Sequence, residues 1–287
     1  MKIPQSLSVA LSLVAVARAA PAGAKDYESL QRRGPREYLD CSPEQQAALQ
    51  AALGDMFRIT DKPLQEFFVD GVNNFDPNKL AYAHYFRNED RDMVAAAFRA
   101  LHDASNPAMS LAVSYNIQCA GEGAAGCASG DLAFTQPFPE DFVGGGEIAG
   151  VRKVIVCPGF FTESRTTRRL PETQEEIDAY CQFKESKKFN EFETGAHTLL
   201  HEISHLDSFG RAAGYPARNQ EAGLHFPSYD YQGTDDWHQI STPGNARTLK
   251  SGNAGDKIET FENAESLAAF SLEYWVATVC GLEDVPL

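Results

Sequence analysis

The segment His197-Thr-Leu-Leu-His201-Glu202-Ile203-Ser204-His205 gathers three imidazoles and one carboxylate into nine residues. On a helix, residues four apart share a face, so His201 and His205 can present ring nitrogens to one cation. Glu202, one position on, falls beside that cation, where its carboxylate can take a proton from water. An imidazole pair suits zinc, and zinc draws the pKa of its water down toward ~7, which makes a nucleophile at neutral pH. Leu199, Leu200, Ile203 and Leu206 give the helix an apolar flank that seats it in a core. His197 lies one turn before His201 on nearly the same face. It reads as a packed core histidine in preference to a group standing behind the metal.

A catalytic zinc site needs a third protein ligand and one open position. The spacing HExxHxxGxxH would supply a histidine, but Ser208 and Arg211 occupy its glycine and last histidine positions. A glutamate from a later helix would be Glu265, in Asn263-Ala-Glu-Ser266. An aspartate would come from Gly233-Thr234-Asp235-Asp236. Asp207, two residues past His205, points to a different helix face.

These groups need a scaffold, and the rest of the chain supplies one. Ser42-Pro43-Glu44-Gln45 is a helix start, with a capping serine, proline in the first turn and Gln45 to complete a capping box. Apolar spacing carries that helix to about residue 57. Further helices are expected at 78–86 and 89–102, the second capped by Asn88 with Met93, Ala97 and Leu101 on one stripe. After Pro107 the texture becomes β-rich, with strands expected at 111–117, 132–136 and 151–156. Helix returns at 173–180, at 193–210 across the histidines, and at 263–279. The stretch 211–261 reads as a long irregular loop, rich in Gly, Pro, Asn and Asp. Helices, then a small sheet, then a helix bearing the site define an α+β class.

The chain has 287 residues, 43% hydrophobic and 23% charged, ordinary proportions for a globular domain. Its net charge of -15 disfavours a nucleic-acid partner. Lys2, the apolar run from Leu7 to Val16, and Ala17-Arg18-Ala19 read as a signal peptide over residues 1–19. That run is too short to span a bilayer, and no other segment is long and apolar enough, so no membrane partner is expected. Residues 20–40 read as a polar leader or short propeptide, with Arg32-Arg33 as a possible processing pair. The catalytic domain is expected over 41–287, secreted and monomeric, acting on a protein or peptide substrate. Six cysteines (Cys41, Cys119, Cys127, Cys157, Cys181 and Cys280) in an exported chain imply three disulfides. The absence of any CxxC spacing argues against a cysteine zinc site.

The residues resemble those of the deuterolysins and fungal peptidyl-Lys metalloendopeptidases, the aspzincins, whose pattern is HExxH followed by GTxDxxYG. His201-Glu202-Ile-Ser-His205 matches the first part and Gly233-Thr234-Asp235-Asp236 the start of the second. Cys41-Ser-Pro-Glu-Gln-Gln-Ala-Ala-Leu looks like the family's first helix and Val154-Ile-Val-Cys157-Pro-Gly-Phe-Phe161 like its strand-cysteine segment. Asn263-Ala-Glu-Ser is similar to the start of its closing helix. The resemblance implies a zincin-like domain and zinc-dependent endopeptidase activity, with Asp236 as third zinc ligand beside His201 and His205, and Glu202 as general base. It also implies the pairing Cys41–Cys119 and Cys127–Cys157, leaving Cys181–Cys280.

Two departures stand out. The step from His205 to Asp236 is longer than the family's, and the motif's tyrosine and glycine fall on Gln239 and Ile240. His238, Tyr229 or Tyr231 would then have to donate to the oxyanion, and a lysine preference does not carry over. A secreted protein that binds zinc, or another surface, without turnover is the competing expectation. The intact Glu202 speaks against it and the altered DxxYG for it. An enzyme using Glu265 as third ligand is the other alternative.

Overall fold

The computed structural model describes residues 37–67, 80–105, 113, 115–127, 130–136, 152–182, 186–220, 229–231, 233–236, 242–252 and 258–287. The signal peptide expected at 1–19 and most of the leader at 20–40 lie outside them.

Helix α1 (Pro43–Phe67) starts as its sequence requires. Gln45 N–H donates to Ser42 Oγ at 3.2 Å, and Gln45 Oε1 accepts Ser42 N–H at 2.9 Å. Leu49, Leu53, Met56 and Ile59 form its buried stripe. The helix continues ten residues beyond the expected end at 57, straight through Pro63. Burial of Ile59 and Thr60, whose hydroxyl donates back to Met56 C=O, outweighs the local helix-breaking signal there.

Helix α2 (Leu80–Tyr85) buries Tyr82 and Tyr85. A short 3-10 turn (Asn88–Asp90) precedes α3 (Arg91–Ala104), so the cap of α3 is Asp90, not the expected Asn88. Asp90 is buried because its carboxylate accepts from Arg87 N–H and from the Thr260 hydroxyl.

Four strands form a mixed sheet: β1 (Tyr38–Leu39), β2 (Tyr115–Cys119), β3 (Ala133–Gln136) and β4 (Arg152–Val156). Their order is β1-β2-β4-β3. β1, β2 and β4 run parallel, and β3 pairs antiparallel to β4 at the edge, with Thr135 opposite Val154. The alternation expected of a strand is clear in β2 and β4, where Tyr115, Ile117, Val154 and Val156 turn to the core. β1 carries the fold back into the stretch read as leader.

Helices α4 (Ser164–Thr167) and α5 (Gln174–Tyr180) follow, the latter boxed by Thr173 and Glu176. The helix expected at 193–210 is two helices, α6 (Gly195–Ser204) and α7 (Asp207–Ala213). His205 closes α6 and buried Leu206 takes extended backbone (φ -68, ψ 131) before Asp207 restarts the chain. The stretch expected to be irregular holds a two-stranded ribbon, β5 (Arg218–Gln220) with β6 (Tyr229–Tyr231), and helix α8 (Pro243–Ser251). The latter starts on a Thr242 cap and Pro243. Last comes α9 (Ala264–Cys280), buried on every side from Ala264 to Val276, the pattern of a central helix.

α6 lies between α1 and α9, with β3 against it. Its start permits no side chain: a Cβ on Gly195 would stand 2.8 Å from Thr166 O and 2.9 Å from Phe160 Cζ. Three disulfides fasten the ends of these elements: Cys41–Cys119, Cys127–Cys157 and Cys181–Cys280, the pairing that the resemblance implies. Among the described residues no helix is long and apolar enough to cross a membrane.

Candidate metal centre

The last turn of α6 and the residue closing it aim His201 and His205 at the same point. Their Nε2 atoms lie 3.2 Å apart. Asp236 joins them, with Oδ1 3.2 Å from His201 Nε2 and Oδ2 3.6 Å from His205 Nε2. Atoms bound at 2.0–2.2 Å to one tetrahedral zinc are roughly 3.3–3.6 Å apart. One separation falls in that range and two lie about 0.1 Å below it, close enough for a single ion. Asp236 Oδ1 is buried with no well-directed hydrogen bond, as expected of an atom reserved for a metal.

Asp236 is distant in sequence but fixed in space by backbone. Thr234 N–H donates to Ser204 C=O at the end of α6 (3.0 Å), while Asp235 N–H donates to Glu262 C=O (2.8 Å). Asp235 C=O accepts Ala264 N–H at the start of α9 (3.0 Å). Thr234, fully buried, adds a hydroxyl contact to Ser204 Oγ at 2.8 Å. Segment 233–236 thus stitches the end of α6 to the start of α9 and holds Asp236 beside the two histidines.

The far nitrogens are already engaged. His205 Nδ1 meets Thr234 C=O at 2.8 Å, and a carbonyl only accepts, so Nδ1 carries a proton and Nε2 is the nitrogen left for a metal to take. His201 Nδ1 meets Glu265 Oε2 at 3.0 Å, with the same consequence. Glu265 therefore stands behind His201 and not beside the three donor atoms. Burial alone would push the Glu265 carboxyl up, but the His197 and His201 rings outweigh it and hold it down at about 2. Burial likewise opposes charge on His201 and His205. The Asp236 carboxylate, joined at His201 by Glu265, overcomes this and raises both above the usual imidazole range without a metal. Against the upward push of burial, the two rings hold Asp236 well below the ordinary carboxylate range.

Glu202 is buried beside this group, and the hydroxyl of Thr135 on β3 lies 3.0 Å from its Oε2 and 2.6 Å from its backbone carbonyl. Glu202, His201, His197 and Glu265 line a cavity of about 270 Å³, completed by Leu132 and Ala133 at the start of β3. No sequence signal marks Thr135. His197 is buried against Phe189, as a core histidine would be, yet its Nε2 also lies 3.2 Å from Glu265 Oε1. Asp207 pairs with Arg211 at 2.6 Å and takes no part in the centre. The side chains of Tyr229 and Tyr231, and residues 237–241 with His238, Gln239 and Ile240, lie outside what the structure describes.

A second acidic-histidine group, His84, Glu273 and Asp284, differs in kind. Arg247 already supplies its cation, 2.7 Å from Glu273 Oε2, and His84 and Tyr85 occupy the remaining capacity of that carboxylate. It is a structural clamp.

No family model matches the chain, and no curated protein matches it. The resemblance to aspzincins therefore rests on the residues quoted above.

Proposed function

We propose that this chain is a secreted zinc-dependent endopeptidase. The observation that carries the reading is the convergence of His201 Nε2, His205 Nε2 and Asp236 at the spacing of one tetrahedral ion, with both Nδ1 atoms already engaged. A zinc ion held by these residues would supply Lewis acidity, activating water near pH ~7 and polarising a peptide carbonyl.

The chain's own groups do the rest. Glu202 accepts the proton of the attacking water as its oxygen bonds to the carbonyl carbon. It then delivers that proton to the leaving nitrogen as the C–N bond breaks, giving a carboxylic acid and an amine. Thr135 holds the Glu202 carboxylate toward the cavity. β3, an edge strand whose first residues line the cavity, offers backbone groups to an extended peptide. Three disulfides and the lack of a membrane-spanning helix among the described residues fit an extracellular protein.

The test is zinc content and casein hydrolysis, side by side, for the mature protein and Glu202→Gln. Equal zinc, with cleavage only by the unsubstituted protein, is expected. Gln239 at the position of the motif's tyrosine favours a second reading, a zinc-binding protein without turnover. Equal zinc with no cleavage by either protein would support that one.

A further inference from the structure

We infer that His197 is a positioning residue of the metal centre, acting through Glu265 on His201. The inference rests on the reading of His201, His205 and Asp236 as metal ligands, but not on the reaction assigned to them.

Glu265, in the first turn of α9, stands between two histidines one helical turn apart on α6. Its Oε2 is 3.0 Å from His201 Nδ1 and its Oε1 is 3.2 Å from His197 Nε2. Neither Oε1 nor His197 Nε2 makes a well-directed hydrogen bond, so the 3.2 Å polar contact between them is what each has in place of one. Glu265 is 3% exposed and His197 9%, so solvent cannot substitute freely for either. A carboxylate held at one oxygen can still turn about its terminal bond. A close polar contact at the other oxygen restrains its plane, and with it the direction from which it meets the His201 ring.

The far side of His197 is fixed in turn. The Phe189 ring meets it edge-on at 5.7 Å, and Phe189 N–H is anchored on Pro286 C=O at 2.7 Å. The start of α6 cannot slide, because Gly195 is pressed against Thr166 and Phe160. A purely packed residue at 197 could be phenylalanine or leucine. Neither would offer Glu265 Oε1 a polar contact, and a buried carboxylate oxygen facing only apolar atoms would turn to find a donor.

The experiment is a double-mutant cycle on zinc affinity, measured by chelator competition on wild type, His197→Phe, Glu265→Gln and the double variant. The visible spectrum of the cobalt(II)-loaded proteins and melting of the chelated proteins accompany it. Partners of metal-binding histidines are worth 10–100-fold in affinity, so His197→Phe is expected to weaken zinc about 10-fold and to shift the cobalt bands. In the Glu265→Gln background the same change is expected to cost less than ~2-fold, because its route is already cut. His197→Gln, whose amide can donate to Oε1, is expected to recover affinity to within ~3-fold of wild type.

Wild-type affinity and an unaltered cobalt spectrum in His197→Phe would overturn the inference. So would an equal loss in both backgrounds. Should His197→Phe fail to melt cooperatively, comparison of His197→Gln with His197→Leu replaces it, and equal zinc affinity in those two overturns the inference. Zinc binding by a wild type that cleaves nothing removes only the endopeptidase reading. A wild type that binds no zinc removes both.

Discussion

Thr135→Val tests how Glu202 is held. Valine keeps the shape of threonine and removes the hydroxyl that lies 3.0 Å from Glu202 Oε2 and 2.6 Å from Glu202 C=O. A hydrogen bond to a charged group contributes about 1.5–3 kcal/mol. Here one proton is shared between two acceptors, and Thr135 is only half-buried, so water can partly replace it. The lower end applies, about 1.5 kcal/mol, which is roughly tenfold in rate. The assay is kcat/KM on a quenched fluorescent peptide, with zinc affinity and melting temperature measured on the same preparations. Thr135→Val is expected to lose about tenfold in kcat/KM while zinc affinity stays within ~2-fold, and Thr135→Ser is expected to restore the rate. A Thr135→Val variant with undiminished kcat/KM would refute the reasoning. A rate loss matched by an equal loss of zinc would place Thr135 in the metal site's support instead.

Asp236→Ala removes one of three protein donors, and structural zinc sites bind with ~10–16 kcal/mol in total, so zinc affinity is expected to fall at least ~100-fold. Glu265→Ala is expected to cost less, and the reverse order in chelator competition would transfer the ligand role to Glu265. Gly195→Ala forces a methyl against Thr166 C=O and Phe160 and is expected to destabilise the fold by ~1–3 kcal/mol, read as a lower urea midpoint with unchanged slope. Acidification should weaken zinc. His201 and His205 titrate above 6.5 without metal, so the ion must displace protons from them. The stability those protonated rings give the chelated protein is full below 6.5 and lost as pH rises through their folded values. The rise in melting temperature on adding zinc is therefore expected to be larger at about pH 8 than at about pH 6.

The clustering of His201, His205 and Asp236 was legible in part because it depends on spacing and composition. His201, Glu202 and His205 follow from a helical period, and Asp236 was one of the donors the sequence allowed. The local caps were equally plain at Ser42 and Thr173, where side chain and backbone lie within three residues of one another. What could not be read depends on distant contacts. α1 passes through Pro63 because the core holds Ile59 and Thr60, and α6 ends at His205 because Leu206 must turn into the core. α8, short and polar, offered little periodicity beyond its Thr242-Pro243 start. Thr135 had no motif at all; strand pairing alone brings it to Glu202. Glu265 was visible as a metal-site candidate, but only the approach of α9 to α6 shows it behind His201. The same approach gives His197 a polar partner as well as the packing already expected of it.

The most direct measurement is anomalous diffraction at the zinc edge from crystals of the zinc-loaded protein. One peak is predicted, at about 2.0–2.2 Å from His201 Nε2, His205 Nε2 and the Asp236 carboxylate, with Glu265 still on His201 Nδ1. A peak ligated by Glu265 in place of Asp236, or no peak between the two histidines, would contradict the metal centre described above.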